Sequence, residues 1–106
     1  MKLNRERVAA LFLAGAIAIP SLAQSAGGDI YKSKCIICHG ADGLGGTPSG
    51  KALKAASFKD PALVKAPDTE LFAAIKNGKN KMPPYGGKLT DAEIKQVLAY
   101  VRTLQK

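Results

Sequence analysis

The sequence predicts an all-α fold of short helices and long loops, and three observations carry that prediction. No run of residues alternates polar and apolar as a half-buried strand would. Three segments instead place apolar residues at helical spacing. Between them, residues 40–50 and 76–88 are too rich in glycine and proline to form regular structure, and loops of that length in a small domain are wrapped around something or functional.

The first helix is expected from about Asp29 to Cys38, with Asp29 near the positive end of its dipole. The second opens at Asp68 behind Pro67, aligns Leu71, Phe72 and Ile75 on one stripe, and stops at Asn77-Gly78. The third is the most strongly specified. Thr90-Asp91-Ala92-Glu93 is a capping box, and Leu89 and Ile94 are spaced to staple the helix entrance. Ile94, Val97, Leu98, Val101 and Leu104 then recur on one face. Short helical turns are expected around residues 52–56 and 62–64. The five glycines at 40, 43, 45, 46 and 50 mark a tight, irregular loop.

The first 23 residues are set apart from this fold. Lys2, Arg5 and Arg7 precede an apolar run over residues 8–19, and then come Pro20 and the small-residue stretch Ser21-Leu22-Ala23. That order is a secretory signal peptide cleaved after Ala23, so residues 24–106 form one domain and the protein is exported. The competing reading, a membrane anchor, fails on length, because twelve apolar residues fall short of the roughly 20 that span a bilayer.

Removing 23 of 106 residues leaves 83, a chain that buries only about 60–65% of its unfolded surface. Domains of that size need a staple. A disulfide between Cys35 and Cys38 would close almost no loop, so a cofactor is the expected staple. The leader also takes three of the 16 basic and one of the 8 acidic residues, leaving a net charge of +6. That balance favours acidic partners. Nucleic acid is excluded as the partner by export and by the lack of a basic helix or an aromatic stacking platform.

Cys35-Ile36-Ile37-Cys38-His39 is the decisive motif. Its spacing puts two thiols one helical turn apart, where they reach the two vinyl groups of one haem, and His39 follows in place to ligate the iron. A zinc site would need four protein ligands, and this chain has two cysteines and a single histidine. A redox dithiol would sit beside a βαβ pattern, and none is present. One covalent haem c, attached through Cys35 and Cys38, is therefore expected. Met82 is the one methionine outside the leader, and Pro83 and Pro84 stiffen the backbone behind it. Its alternative is core filler. Its place in a lysine-rich loop, away from any helix stripe, favours a second axial ligand opposite His39, and a thioether there favours reduced iron.

These residues carry a resemblance. Gly27, Tyr31 and Cys35 through Gly40, the run Lys81-Met82-Pro83-Pro84-Tyr85-Gly86-Gly87, and Leu89 through Leu104 together resemble a class I cytochrome c of the short bacterial or photosynthetic type. The resemblance implies three main short helices with long loops around one haem. It also implies first and last helices that cross closely, with Gly27 and Tyr31 facing Val97 and Tyr100. It implies a proline carbonyl on the ligand histidine, for which Pro48 is the candidate, and Asn80 is a candidate donor to the Met82 sulfur. Lys32, Lys34, Lys79, Lys81 and Lys88 would border the exposed haem edge, either as a docking ring for an acidic redox partner or as ordinary solvated charge.

The function expected is a diffusible, monomeric one-electron carrier of the periplasm or a photosynthetic lumen, with no catalytic residues and no membrane span after leader removal. Two alternatives stand beside it: a haem peroxidase or small-molecule sensor with a labile methionine, and an electron-transfer subunit of a larger redox complex.

Overall fold

The computed structural model describes residues 19–106. Among them are six helices: α1 Ile19–Lys34, α2 Ile36–His39, α3 Pro48–Leu53, α4 Pro61–Lys65, α5 Asp68–Asn77 and α6 Asp91–Leu104. The one β feature among the described residues is an isolated bridge between Lys79 and Met82. The fold is all-α, with three longer helices (α1, α5 and α6) and three short ones set in the loops. No helix among the described residues is long and apolar enough to cross a membrane.

The first and last helices make the frame. Gly27 of α1 lies against the Gln96 carbonyl and the Tyr100 side chain of α6, so closely that a Cβ at position 27 would overlap that carbonyl. Four residues on, Tyr31 is fully buried with Phe58, Val97 and Val101. Its ring meets those of Tyr100 and Phe58, at centroid distances of 5.1 and 6.1 Å. Ile94, Val97, Leu98 and Val101 form the buried stripe of α6, as their spacing predicts. Removing each such side chain from water contributes about 1.5–3 kcal/mol.

The capping box of α6 is complete. The Thr90 N–H donates to Glu93 Oε1 at 2.9 Å, and the Glu93 N–H to Thr90 Oγ1 at 3.1 Å. At the other end of α6, Arg102 ties down the α4–α5 corner. Its guanidinium donates to Asp68 Oδ1 through Nε (3.0 Å) and Nη2 (2.8 Å), and to the carbonyls of Ala66 (2.6 Å) and Leu63 (3.1 Å).

Three boundaries differ from the sequence expectation. Helix α1 starts ten residues before Asp29, which therefore lies mid-helix and exposed, away from the dipole's positive end. Ala26-Gly27-Gly28 reads as weak helix, but close contact with α6 requires small residues there and overrides propensity. The helix also breaks at Cys35, and α2 begins afresh at Ile36. Third, the turn expected at 52–56 is α3, four residues earlier. Thr47 caps it by accepting from the Gly50 N–H (2.9 Å), Pro48 occupies its first turn, and it ends at Lys54 in left-handed backbone (φ 55°).

The turn expected at 62–64 is α4, opened by Asp60 on the Ala62 N–H and by Pro61. Helix α5 has the expected bounds. Most of the expected leader, residues 1–18, lies outside the described residues, and its boundary at Ala23 falls within α1.

Candidate cofactor site

Cys35, Cys38 and His39 come together because α2 is a single helical turn. The His39 N–H donates to the Cys35 carbonyl (3.0 Å) and the Gly40 N–H to that of Ile36 (2.9 Å). Cys38 and His39, three and four residues beyond Cys35, therefore share its face. The chain then leaves the helix through Gly40 at φ 81°, a left-handed conformation that glycine accepts without strain. Tyr31 locks this exit by donating its hydroxyl proton to the Gly40 carbonyl at 2.5 Å. Thr47 donates to the carbonyls of Ile37 (2.5 Å) and Cys38 (3.2 Å), and Gly50 packs against the Cys38 carbonyl with no room for a side chain.

The two thiols, the imidazole and the Met82 thioether line one cavity of about 410 Å³. Leu71, Ala74 and Ile75 of α5, Val97, Leu98 and Val101 of α6, and Phe58 supply apolar walls. The volume lies within the range of small-molecule and cofactor sites, roughly 300–1,000 Å³. Lys34, Lys54, Lys79 and Lys81 also border it.

The ring of His39 is held on an edge and on a face. Nδ1 lies 3.1 Å from the Ala56 carbonyl, and the ring stacks on Phe58 with centroids 4.6 Å apart and planes 26° apart. With Nδ1–H donating to Ala56, Nε2 carries the lone pair, the tautomer a metal ligand needs. Burial pulls the His39 pKa below its ordinary value and so favours the neutral ring, partly opposed by the Ala56 contact. The carbonyl on this histidine is therefore that of Ala56, and Pro48 is occupied at the start of α3. Ala56 and Phe58 carry no motif that names them. Pro48 did carry a different signal, since Thr-Pro is a cap followed by a first-turn residue.

Met82 is held by a tight turn. Lys79 and Met82 exchange backbone hydrogen bonds of 3.1 and 2.9 Å around Asn80-Lys81, and Asn80 has φ 54°. Among the described residues no hydrogen bond joins Asn80 to the Met82 sulfur. What Asn80 contributes is a backbone conformation that Asn tolerates better than most residues. Behind it, the Tyr85 N–H donates to the Ile75 carbonyl (3.0 Å) and its hydroxyl to that of Lys34 (3.2 Å).

The donor set fits a haem. Two thiols at one edge suit covalent attachment, and an imidazole and a thioether line the same apolar cavity. Burial pushes the Cys35 thiol up to about 11, so at neutral pH it is a protonated thiol, unlike the depressed thiolate of a redox dithiol.

A family profile described as "Cytochrome C oxidase, cbb3-type, subunit III" matches residues 22–101. The chain is 35% identical over 79 residues to a cytochrome c6 of Leptolyngbya boryana, an overlap covering 73% of this chain and 87% of that protein. It is 35% identical over 82 residues to a cytochrome c6 of Limnospira maxima, covering 73% and 88%. A cytochrome bc1 complex cytochrome c subunit of Corynebacterium efficiens is 29% identical over 89 residues, which is 83% of this chain and 28% of that protein.

Proposed function

We propose from one premise — the chain belongs to the class I mono-haem cytochromes c — that it is a diffusible one-electron carrier whose iron is held between His39 and Met82. The family carries one covalent haem c and transfers electrons, and Cys35 and Cys38 fit its attachment motif. The observation that supports the ligand pair is that His39 and Met82, 43 positions apart in sequence, line one apolar cavity with both thiols.

Haem, when bound, supplies the single-electron chemistry. The residues do the rest. Cys35 and Cys38 anchor the group, and His39 presents Nε2 because Ala56 occupies Nδ1. Met82 offers a soft donor that favours the reduced state. Val97, Leu98 and Val101 exclude water from the site. The test of the ligand pair is the absorption spectrum of the oxidised holoprotein. A weak sulfur-to-iron band near the red end is expected, and it should vanish in Met82→Ala. A wild-type spectrum without that band would remove Met82 as a ligand.

Export follows from the leader reading, with residues 1–23 removed and 24–106 the haem domain. The periplasm or a photosynthetic lumen is then its compartment. The partner is a redox protein with an acidic surface, and the carrier is monomeric. Lys32, Lys34, Lys79, Lys81 and Lys88 are all exposed, and Lys34, Lys79 and Lys81 border the cavity, which supports the docking reading over scattered charge. Electron-transfer rates with such a partner should fall as ionic strength rises from about 0.01 to 0.15 M, where the screening length shrinks from about 30 to 8 Å. A flat or rising profile would sink the acidic-partner reading.

A second reading, an electron-transfer subunit of a larger complex, draws on the profile's description and the bc1-complex relative. Coverage favours the free carrier: the chain spans 87% of the first cytochrome c6 but 28% of that subunit. Co-purification of the native protein with a membrane oxidase or reductase would reverse the preference.

A further inference from the structure

We propose that Gln105, just beyond the last helix, positions the imidazole of His39 by anchoring the backbone of residues 56–58; the proposal rests on His39 being an iron ligand. Those three residues supply both restraints on the ring, the Ala56 carbonyl at Nδ1 and the stacked Phe58 side chain. They lie between α3 and α4, outside any helix, so no regular structure holds them.

What holds them comes from two sides. The Phe58 N–H donates to the Gly43 carbonyl at 2.8 Å, and the Phe58 carbonyl accepts from Gln105 Nε2 at 3.1 Å. A Cβ on Gly43 would stand 2.6 Å from the Phe58 ring, so the glycine loop fits that ring closely. Gln105 is the tie on the opposite side, from the end of α6.

The orientation of that amide is determined by its neighbour. Arg102 Nη1 lies 2.9 Å from Gln105 Oε1, and a guanidinium only donates, so the oxygen faces Arg102 and the NH₂ faces Phe58. Arg102 is itself fixed by Asp68 and the Ala66 carbonyl. A continuous set of hydrogen bonds thus runs from the α4–α5 corner through Arg102 and Gln105 to the segment gripping His39. A firm Nδ1–H···O=C bond makes Nε2 a stronger donor, which favours ferric iron. Loosening residues 56–58 weakens that bond and shifts the redox equilibrium toward the ferrous form.

The test uses the reduced holoprotein by NMR together with redox titration. Wild type first establishes the premise: the ring carbon protons of His39 must carry the upfield shift of an imidazole bound over a haem. If that shift is missing, the ligand assignment fails and the proposal with it. If it is present, Gln105→Met should speed solvent exchange of the His39 Nδ1 proton about tenfold, the factor for losing a hydrogen bond of about 1.4 kcal/mol. Its redox equilibrium should also move toward ferrous. Gln105→Asn, one methylene shorter, should act in the same direction if Gln105→Met fails to load haem. Lys76→Ala, which breaks the surface ion pair with Asp91 (3.0 Å), should change neither readout. Unchanged exchange and potential in the loaded Gln105 variant, or equal changes in Lys76→Ala, would overturn the anchoring role alone.

Discussion

The two walls of the cavity hold the proposed iron ligands, His39 and Met82, by different means. On the histidine wall, the ring is restrained at Nδ1 and on its face, and the backbone around it is tied at Gly40 by Tyr31 and at Ile37 and Cys38 by Thr47. Two cysteines precede it within one helical turn. On the methionine wall, one two-residue turn positions Met82, and among the described residues no hydrogen bond reaches its sulfur. The proposed histidine ligand is restrained on its own side chain, and the proposed methionine ligand only through its backbone, by the turn before it and by Pro83, Pro84 and the tied Tyr85 behind it. Such a carrier would keep its fold and its cofactor while its sixth ligand is lost or replaced, which is how an electron carrier turns into a ligand-binding haem protein.

The largest expected effect follows directly. Met82→Ala opens the sixth position and removes the thioether's preference for ferrous iron. The midpoint potential should fall by on the order of a tenth of a volt, within the roughly 0.8 V that axial ligands span. Carbon monoxide affinity should rise by more than about tenfold, equivalent to about 1.4 kcal/mol. The helical signal should be retained, because Cys35, Cys38 and His39 still hold the group. Equilibrium carbon monoxide titration beside a redox titration decides it. A wild type that already binds carbon monoxide readily, with no change in the variant, would move the peroxidase or sensor reading into first place.

Tyr31→Phe probes the other wall. It leaves the aromatic packing in place and removes the nearer of two donors to the buried Gly40 carbonyl, which keeps the Gly43 N–H at 3.2 Å, at a cost of about 1 kcal/mol. Chemical denaturation at neutral pH would measure that loss. Burial is the largest cause raising the Tyr31 phenol above its ordinary pKa of about 10. The neutral phenol is therefore favoured in the native state, and its contribution is complete below pH 10 and lost as pH rises beyond it. The stability gap between wild type and Tyr31→Phe should narrow above pH 10. A gap that stays constant to pH 12 would show that this hydroxyl is not the group that matters.

How much of this was legible in the sequence divides along the same line. The attachment motif, Met82, the α5 bounds and the capping box of α6 are local signals, each a fixed spacing of particular side chains. The α5 bounds and the capping box reappear in the structure where their spacing put them, and the motif residues and Met82 line one cavity. The restraints on His39 are a carbonyl and a ring 17 and 19 residues downstream, and a carbonyl belongs to every residue alike, so Ala56 has no signature. Pro48 was the wrong candidate because the loop that reaches the ring first turns through α3. The start of α1 was misplaced because Gly27 and Gly28 look like helix breakers until α6 is laid against them. Asn80 was legible as a loop residue, but its positive φ depends on the register of the Lys79–Met82 turn, which no side-chain pattern announces.

The smallest expected effect tests whether that turn is what holds Met82 in place. Asn80 at φ 54° sits where a residue with a Cβ pays for the conformation unless its side chain tolerates it, as Asn does and Gly does without strain. Asn80→Ala should cost about 1 kcal/mol, and Asn80→Gly little or nothing. Because Met82 closes the turn through both its N–H and its carbonyl, strain at Asn80 is relieved when the turn opens and the thioether leaves. The cost should therefore appear in ligand exchange more than in global unfolding. Added imidazole should displace Met82 from the oxidised protein at about fivefold lower concentration in Asn80→Ala, the factor that about 1 kcal/mol buys, with Asn80→Gly close to wild type. If the two variants are weakened equally, the Asn side chain matters and the backbone conformation does not. If neither changes, Pro83, Pro84 and the ties of Tyr85 hold the thioether without help from the turn, and the contrast between the two walls is smaller than their hydrogen bonds imply.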